Sequence, residues 1–188
     1  VQFGEKSFAT GVEIDDRTLF ERIDREGRLP STAAPSPGAF VDAYRREFNA
    51  GAESIICITI SSVMSAVFNS ARMACESFPG REITVVDSQA LSLADGFMAL
   101  AAADAVKKGS THSEVVELVQ SMAPRSQLYG ALPTLKYLAM SGRVGKLAAG
   151  MANLLSIHPI LTCRNGKLEL LEKVRTHKMA IQRLVDLC

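Results

Sequence analysis

The sequence predicts an α/β protein with two domains, one built on a parallel sheet and a second whose sheet contains a hairpin. Three observations carry this expectation. Residues 54–60 and 83–86 are short, β-branched apolar runs, and a helical pattern follows each. Strand–helix–strand–helix order normally makes a parallel sheet with crossover helices. Further on, residues 159–163 and Lys167–Val174 flank Arg164-Asn165-Gly166, a strong signal for an antiparallel hairpin. With 188 residues, 47% of them hydrophobic, the chain can bury a core as one large domain or two small ones.

The elements come in order. Asp16–Glu26 reads as a helix, with acidic residues at its start, Arg25 near its end and Gly27 as its stop. Pro30, Pro35 and Pro37 make the next stretch a stiff, extended loop. Ser36 caps a second helix with Pro37 at its first position, and Phe40, Tyr44 and Phe48 give it one apolar face before Gly51 ends it. The run 54–60 is continuously apolar, so both of its faces are expected to be covered. Ser61-Ser62 breaks it and a helix over 65–78 follows. The strand 83–86 ends in Asp87-Ser88 and leads to an alanine-rich helix that stops at Gly109. Thr111 with Glu114 forms a capping box for the next helix.

After Arg125 the pattern changes. A strand over 127–132 and a short helix carrying Leu135 and Leu138 precede the basic turn Gly142-Arg143-Val144-Gly145-Lys146. A helix over 148–155, the hairpin and a last helix capped by Thr176 complete the chain. The division is 1–125 for the parallel-sheet domain and 126–188 for the second α/β domain.

Composition narrows function. The 21 Lys and Arg balance 20 Asp and Glu, which argues against bulk attraction to nucleic acid or an anionic membrane. Cys57, Cys75, Cys163 and Cys188 form no short pairing motif, so a reducing, cytoplasmic setting is expected. No apolar run is long enough to cross a bilayer. There is no Gly-x-Ser-x-Gly elbow, no Walker loop and no Gly-x-Gly-x-x-Gly.

Ligands of open α/β sheets sit beyond the carboxyl ends of the strands, here Ser61-Ser62 and Asp87-Ser88. Ser61, Ser62 and Ser65 lie at a strand-to-helix junction, where serines cap the helix or, with its free N–H groups, bind an anion. Thr32 is either an ordinary loop hydroxyl or one that the prolines present at low entropic cost. Arg143 is a solvated charge after a helix end, or a fork of donors for a carboxylate or phosphate. Asp87 reads first as a cap for the helix after it and second as a general base. His112, His158 and His177 lack metal-ligand spacing and are expected at the surface or in caps.

Three stretches together resemble the DegV family. Leu29-Pro30-Ser31-Thr32-Ala33-Ala34-Pro35-Ser36 is similar to its Leu-Pro-x-Thr-Ser-Gln-Pro-Ser loop. Residues 60–71, Ile-Ser-Ser-Val-Met-Ser-Ala-Val-Phe-Asn-Ser-Ala, resemble Ile-Ser-Ser-x-Leu-Ser-Gly-Thr-Tyr-x-Ser-Ala. Residues 135–144, Leu-Lys-Tyr-Leu-Ala-Met-Ser-Gly-Arg-Val, resemble Leu-x-Tyr-Leu-x-x-Gly-Gly-Arg-Ile. Val86-Asp87-Ser88 and Val174-Arg175-Thr176 fit at the expected places.

The resemblance implies a two-domain α/β fold with a long-chain fatty acid between the domains and no cofactor. It implies headgroup contacts from Thr32 and Ser65, with Ser61 and Ser62 beside them and Arg143 near the carboxyl or acyl-phosphate end. It implies a lipid carrier, not a stand-alone enzyme, that presents the carboxylate to a separate fatty-acid kinase subunit, with transient membrane contact compatible. The alternatives are an acyl-phosphate or acyl-ester hydrolase or transferase, with Ser65 as nucleophile and Asp87 or His158 as base, or a regulatory domain without lipid binding. The chain departs from the family pattern at Ala33, Ala34, Ala66 and Val67, which removes two hydroxyls and an amide. The family's first strand and its His-Thr-Gly-Pro-Gly-like ending are also missing, so the chain reads as a fragment.

Overall fold

The computed structural model describes residues 1–141 and 157–188. A tight turn at Gly4, whose φ is +60°, folds β1 (Gln2–Phe3) onto β2 (Lys6–Ser7). Helix α1 (Asp16–Glu26) comes next. The Asp15 carboxylate caps it by accepting from the Thr18 amide at 2.7 Å, and Gly27 closes it in the left-handed region. Phe3, Ile14 and Ile23 bury together, and the Arg22 guanidinium lies 4.1 Å from the centre of the Phe3 ring. The hairpin also fixes the proline-rich loop. The Gln2 amide donates to the Ser31 carbonyl at 2.9 Å, and the Ser31 amide returns a bond to Gln2 at 3.0 Å.

Helix α2 (Pro37–Asn49) starts at Ser36, as its cap and proline dictate. Its apolar face packs Tyr44 and Phe48 against Phe78, with ring centroids 6.1 and 5.5 Å apart. Strand β3 (Ser54–Thr59) pairs in parallel with β4 (Glu82–Asp87), from Ser54 opposite Glu82 to Thr59 opposite Asp87. Helix α3 (Val67–Ala74) and a 3₁₀ turn connect them. Helices α4 (Leu93–Lys107) and α5 (His112–Met122) come after β4, and Val86, Ala94, Met98, Ala102, Val115 and Val119 form the main core with Ile56 and Ile58 at its margin.

Two expectations are corrected here. Strand β3 is only half-buried along most of its length, because β4 is its one strand neighbour among the described residues. The helix expected over 65–78 loses its regular α form after Ala74.

The second sheet is antiparallel, in the order β5 (Tyr129–Ala131), β6 (His158–Arg164), β7 (Lys167–Val174). The β6–β7 turn is Asn165-Gly166, with φ of 49° and 73°, the left-handed pair that a two-residue hairpin needs. Short α6 (Lys136–Met140) reaches back to α1, where the Tyr137 hydroxyl donates to Asp24 at 2.9 Å. Thr176 caps α7 (His177–Leu187), whose Arg183 grips Glu172 of β7 with two nitrogens, the nearest at 2.7 Å. The helix expected over 148–155 lies outside the described residues.

Two outcomes test this packing. Met98 is fully buried, so Met98→Ala should lower unfolding free energy by about 2–5 kcal/mol, read by chemical denaturation. The hydrogen bonds from Arg183 hold the Glu172 carboxyl below its ordinary value of 4.5. A depressed folded value means that this contribution is present above the unfolded value and is lost as pH falls through the folded one. In an acid titration, amide shifts of α7 should move below pH 4.5, and Glu172→Gln should flatten that movement.

Candidate functional site

The carboxyl ends of β3 and β4 are stitched together by side chains and main chain. Ser61 is fully buried, and its amide donates to the Ala90 carbonyl at 2.8 Å. Its hydroxyl donates to the Gly166 carbonyl at 2.7 Å and accepts from the Val63 amide at 3.2 Å. Asp87 accepts from the Ser62 hydroxyl at 2.5 Å and from the amides of Ser62 at 3.2 Å and Gln89 at 2.9 Å. Cys163 of β6 lies 3.6 Å from the Gln89 carbonyl. The hairpin of the second sheet therefore rests on the strand ends of the first.

Asp87 clasps two strand ends instead of capping α4, which starts after Ser92 without a side-chain cap. Ser61 and Ser62 spend their hydroxyls within the protein. Ser65 is half-buried, and its oxygen accepts from the Val67 amide at 3.3 Å at the start of α3. That bond uses a lone pair and leaves the Ser65 proton without an acceptor among the described residues. Ala66 has φ of −77°, an ordinary conformation that does not call for the glycine of the family pattern.

Thr32 lies on a second feature, a cavity of about 490 Å³. Val1, Leu19, Ile23, Leu29 and Pro30 form its apolar wall, Met140 faces them, and Ser31, Thr32 and Ser141 supply hydroxyls. That volume falls within the ~300–1,000 Å³ typical of small-molecule sites. Residues 29–32 bring the first of the three sequence stretches here, and Met140-Ser141 bring the third. None of the described residues lining that cavity belongs to 61–65. Arg143 lies outside the described residues.

The histidines do not complete a catalytic set. His112 is only 12% exposed at its side chain and bridges Ser54 at 2.9 Å and Thr84 at 2.7 Å, at the opposite ends of β3 and β4. It is a half-buried tie at the first position of α5, where a surface or capping role is expected. His158 stacks edge-on with His177, ring centroids 6.0 Å apart. Burial pushes the thiols of Cys57, Cys75 and Cys163 upward, which keeps them protonated and weakly nucleophilic. Among the described residues no group of His, Cys, Asp and Glu can hold a metal ion, and no helix is long and apolar enough to cross a membrane.

Sequence reasoning missed two participants. Ser141 stood inside the third stretch and carried a visible signal. Gly166 was legible only as a hairpin residue, because its contact with Ser61 spans 105 positions.

Comparison with known proteins bears on family and fold. The chain is 34% identical over 187 residues to a DegV domain-containing protein of Streptomyces coelicolor and 31% identical over 188 residues to Protein DegV of Bacillus subtilis. It spans 66% of the length of each of these relatives. Among solved structures, a fatty-acid-binding DegV family protein from Thermus thermophilus superposes with a TM-score of 0.83 at 32% identity, over 94% of this chain and 62% of that one. A DegV family protein from Ruminococcus gnavus with vaccenic acid gives 0.85 at 26% identity, over 99% and 66%. The model of the DegV family, described as uncharacterised proteins, matches residues 1–188, and the chain belongs to that family.

Proposed function

We propose that the chain binds a long-chain fatty acid and presents its carboxylate to a partner kinase. The carrying observation is the Thr32 cavity, which sets an apolar wall against a hydroxyl-bearing rim. That pairing suits an amphiphile. The Thermus and Ruminococcus relatives, described with fatty acids, support the same reading. In this proposal the tail runs between residues of 1–125 and those of 126–188. Thr32 and Ser65 donate to the carboxylate, and Arg143 supplies the positive charge.

The energetics are favourable. Burying about fifteen acyl carbons yields roughly 12 kcal/mol gross, at about 0.8 kcal/mol per methylene. A buried carboxylate cancels much of that gain unless it is hydrogen-bonded. In this proposal the Thr32 and Ser65 hydroxyls and the Arg143 guanidinium supply those bonds.

A hydrolase built on Ser65 finds less support. A serine nucleophile needs a base within hydrogen-bond reach. Asp87 engages Ser62, and among the described residues no Asp or His bonds to Ser65.

Titration with palmitate and oleate should show saturable binding, and no binding of either would end the lipid reading. Thr32→Val and Ser65→Ala should each weaken affinity by roughly tenfold to a hundredfold, the worth of one hydrogen bond to a charged group. Unchanged affinity in both would place the headgroup elsewhere.

Arg143→Ala should impair phosphorylation of the bound lipid by a cognate kinase more than it impairs binding, because a phosphate carries more charge and more acceptor oxygens than a carboxylate. Equal losses would make Arg143 a simple binding residue. Acyl-phosphate turnover by the isolated protein, abolished by Ser65→Ala, would restore the enzyme reading.

A further inference from the structure

The hairpin turn of the second sheet has a buried contact that neither the hairpin nor the strand ends require by themselves. Gly166 is buried and its carbonyl accepts the Ser61 hydroxyl proton at 2.7 Å. A Cβ at position 166 would stand 2.4 Å from the Ser61 hydroxyl oxygen, well inside contact distance. Asparagine tolerates the left-handed region, so a two-residue hairpin alone could accept it there. A Cβ there must displace the Ser61 hydroxyl, so glycine serves this contact as well as the turn, whose φ of +73° favours it by itself.

Ser61 in turn organises the segment that carries Ser65. Its hydroxyl accepts from the Val63 amide at 3.2 Å, and its carbonyl accepts from the amides of Met64 and Ser65 at 3.1 Å each. The Ser61 amide is tied to Ala90 at 2.8 Å. The path is thus continuous from the Gly166 carbonyl through Ser61 to the backbone of Ser65. Every group in it is main chain except the Ser61 side chain. Fixing a short turn at both ends removes conformational freedom that a ligand would otherwise have to remove on binding.

We propose that Gly166 and Ser61 are positioning residues for the fatty-acid headgroup: the Gly166 carbonyl holds the Ser61 hydroxyl, and this sets the turn that aims Ser65. The inference rests on the fatty-acid reading of Ser65. It assigns Ser61 a role behind the ligand instead of against it. It also makes the second sheet part of the headgroup site, through a backbone carbonyl and not through a side chain.

The experiment compares palmitate with methyl palmitate, which has the same tail and no charge, on the 188-residue chain. Ser61→Ala, Gly166→Ala and the double variant are measured alongside it, well below their melting temperatures. Each single variant should lose about tenfold in palmitate affinity and much less for the ester. Amide exchange at Val63 and Ser65 should quicken. Removing the Ser61 oxygen relieves the clash at position 166 but not the strain of a side chain at φ +73°, so the double variant should melt below Ser61→Ala yet match it in palmitate affinity. Ser61→Ala keeps the test decisive if the Gly166 variants fail to fold.

Equal losses for acid and ester, or palmitate affinity unchanged despite lower melting temperatures, would show a merely structural contact and overturn the proposal. In that case palmitate binding by the unmodified chain would leave the lipid reading standing. Failure of the unmodified chain to bind palmitate would remove both.

Discussion

The hydrogen bond from Ser61 to Gly166 ties the strand ends of the parallel sheet to the hairpin of the β5–β7 sheet. Hydroxyl groups buried without partners are costly, and this one is satisfied twice, once as donor and once as acceptor. Its consequences spread in both directions. On one side the turn 61–65 gains a fixed starting point. On the other side, a side chain at the hairpin tip would displace the Ser61 hydroxyl from its bond. Asp87 adds a second clasp a few residues away, taking three donors from Ser62 and Gln89. The ends of two parallel strands, where backbone groups run out of ladder partners, are thereby closed off by short-range polar bonds and by the hairpin.

The Thr32 cavity is built on different physics. Its wall comes from α1 and the proline-rich loop, packed over a small cluster of Phe3, Ile14 and Ile23. Its far side comes from the end of α6, tethered to α1 by the Tyr137–Asp24 bond. The lining is apolar except where Ser31, Thr32 and Ser141 stand. Hydroxyl groups on an otherwise apolar surface orient a ligand more than they attract it, because water competes for them until the tail is buried.

Local chemistry made much of the fold legible. Asp15, Ser36, Thr111 and Thr176 each cap the helix that their position announces, because capping is a bond across three residues. The Asn-Gly hairpin is equally local. The β1–β2 hairpin left too short an alternation to read, with only two residues in each strand. Half-burial of β3 could not be seen in an apolar run, since composition does not say how many neighbours a strand has. Asp87 and His112 escaped sequence reasoning for one reason. Their partners, Ser62, Ser54 and Thr84, lie 25 to 58 positions away, so only tertiary structure makes them ties. At the site, residue types were readable and their partners were not: Thr32 and Ser65 came from separate stretches, and only the fold shows that Ser141 joins Thr32 on one cavity.

The pair of main-chain bonds between Gln2 and Ser31 has a consequence for how such a site can change. They hold the loop before Thr32 by backbone atoms alone, and Pro35 and Pro37 stiffen the residues after it. The path of the loop is therefore largely indifferent to the side chains at 33 and 34, where this chain carries alanines in place of a hydroxyl and an amide. Shape and chemistry are decoupled there. Mutation can swap polar groups at those two positions while the scaffold that presents them stays where it is.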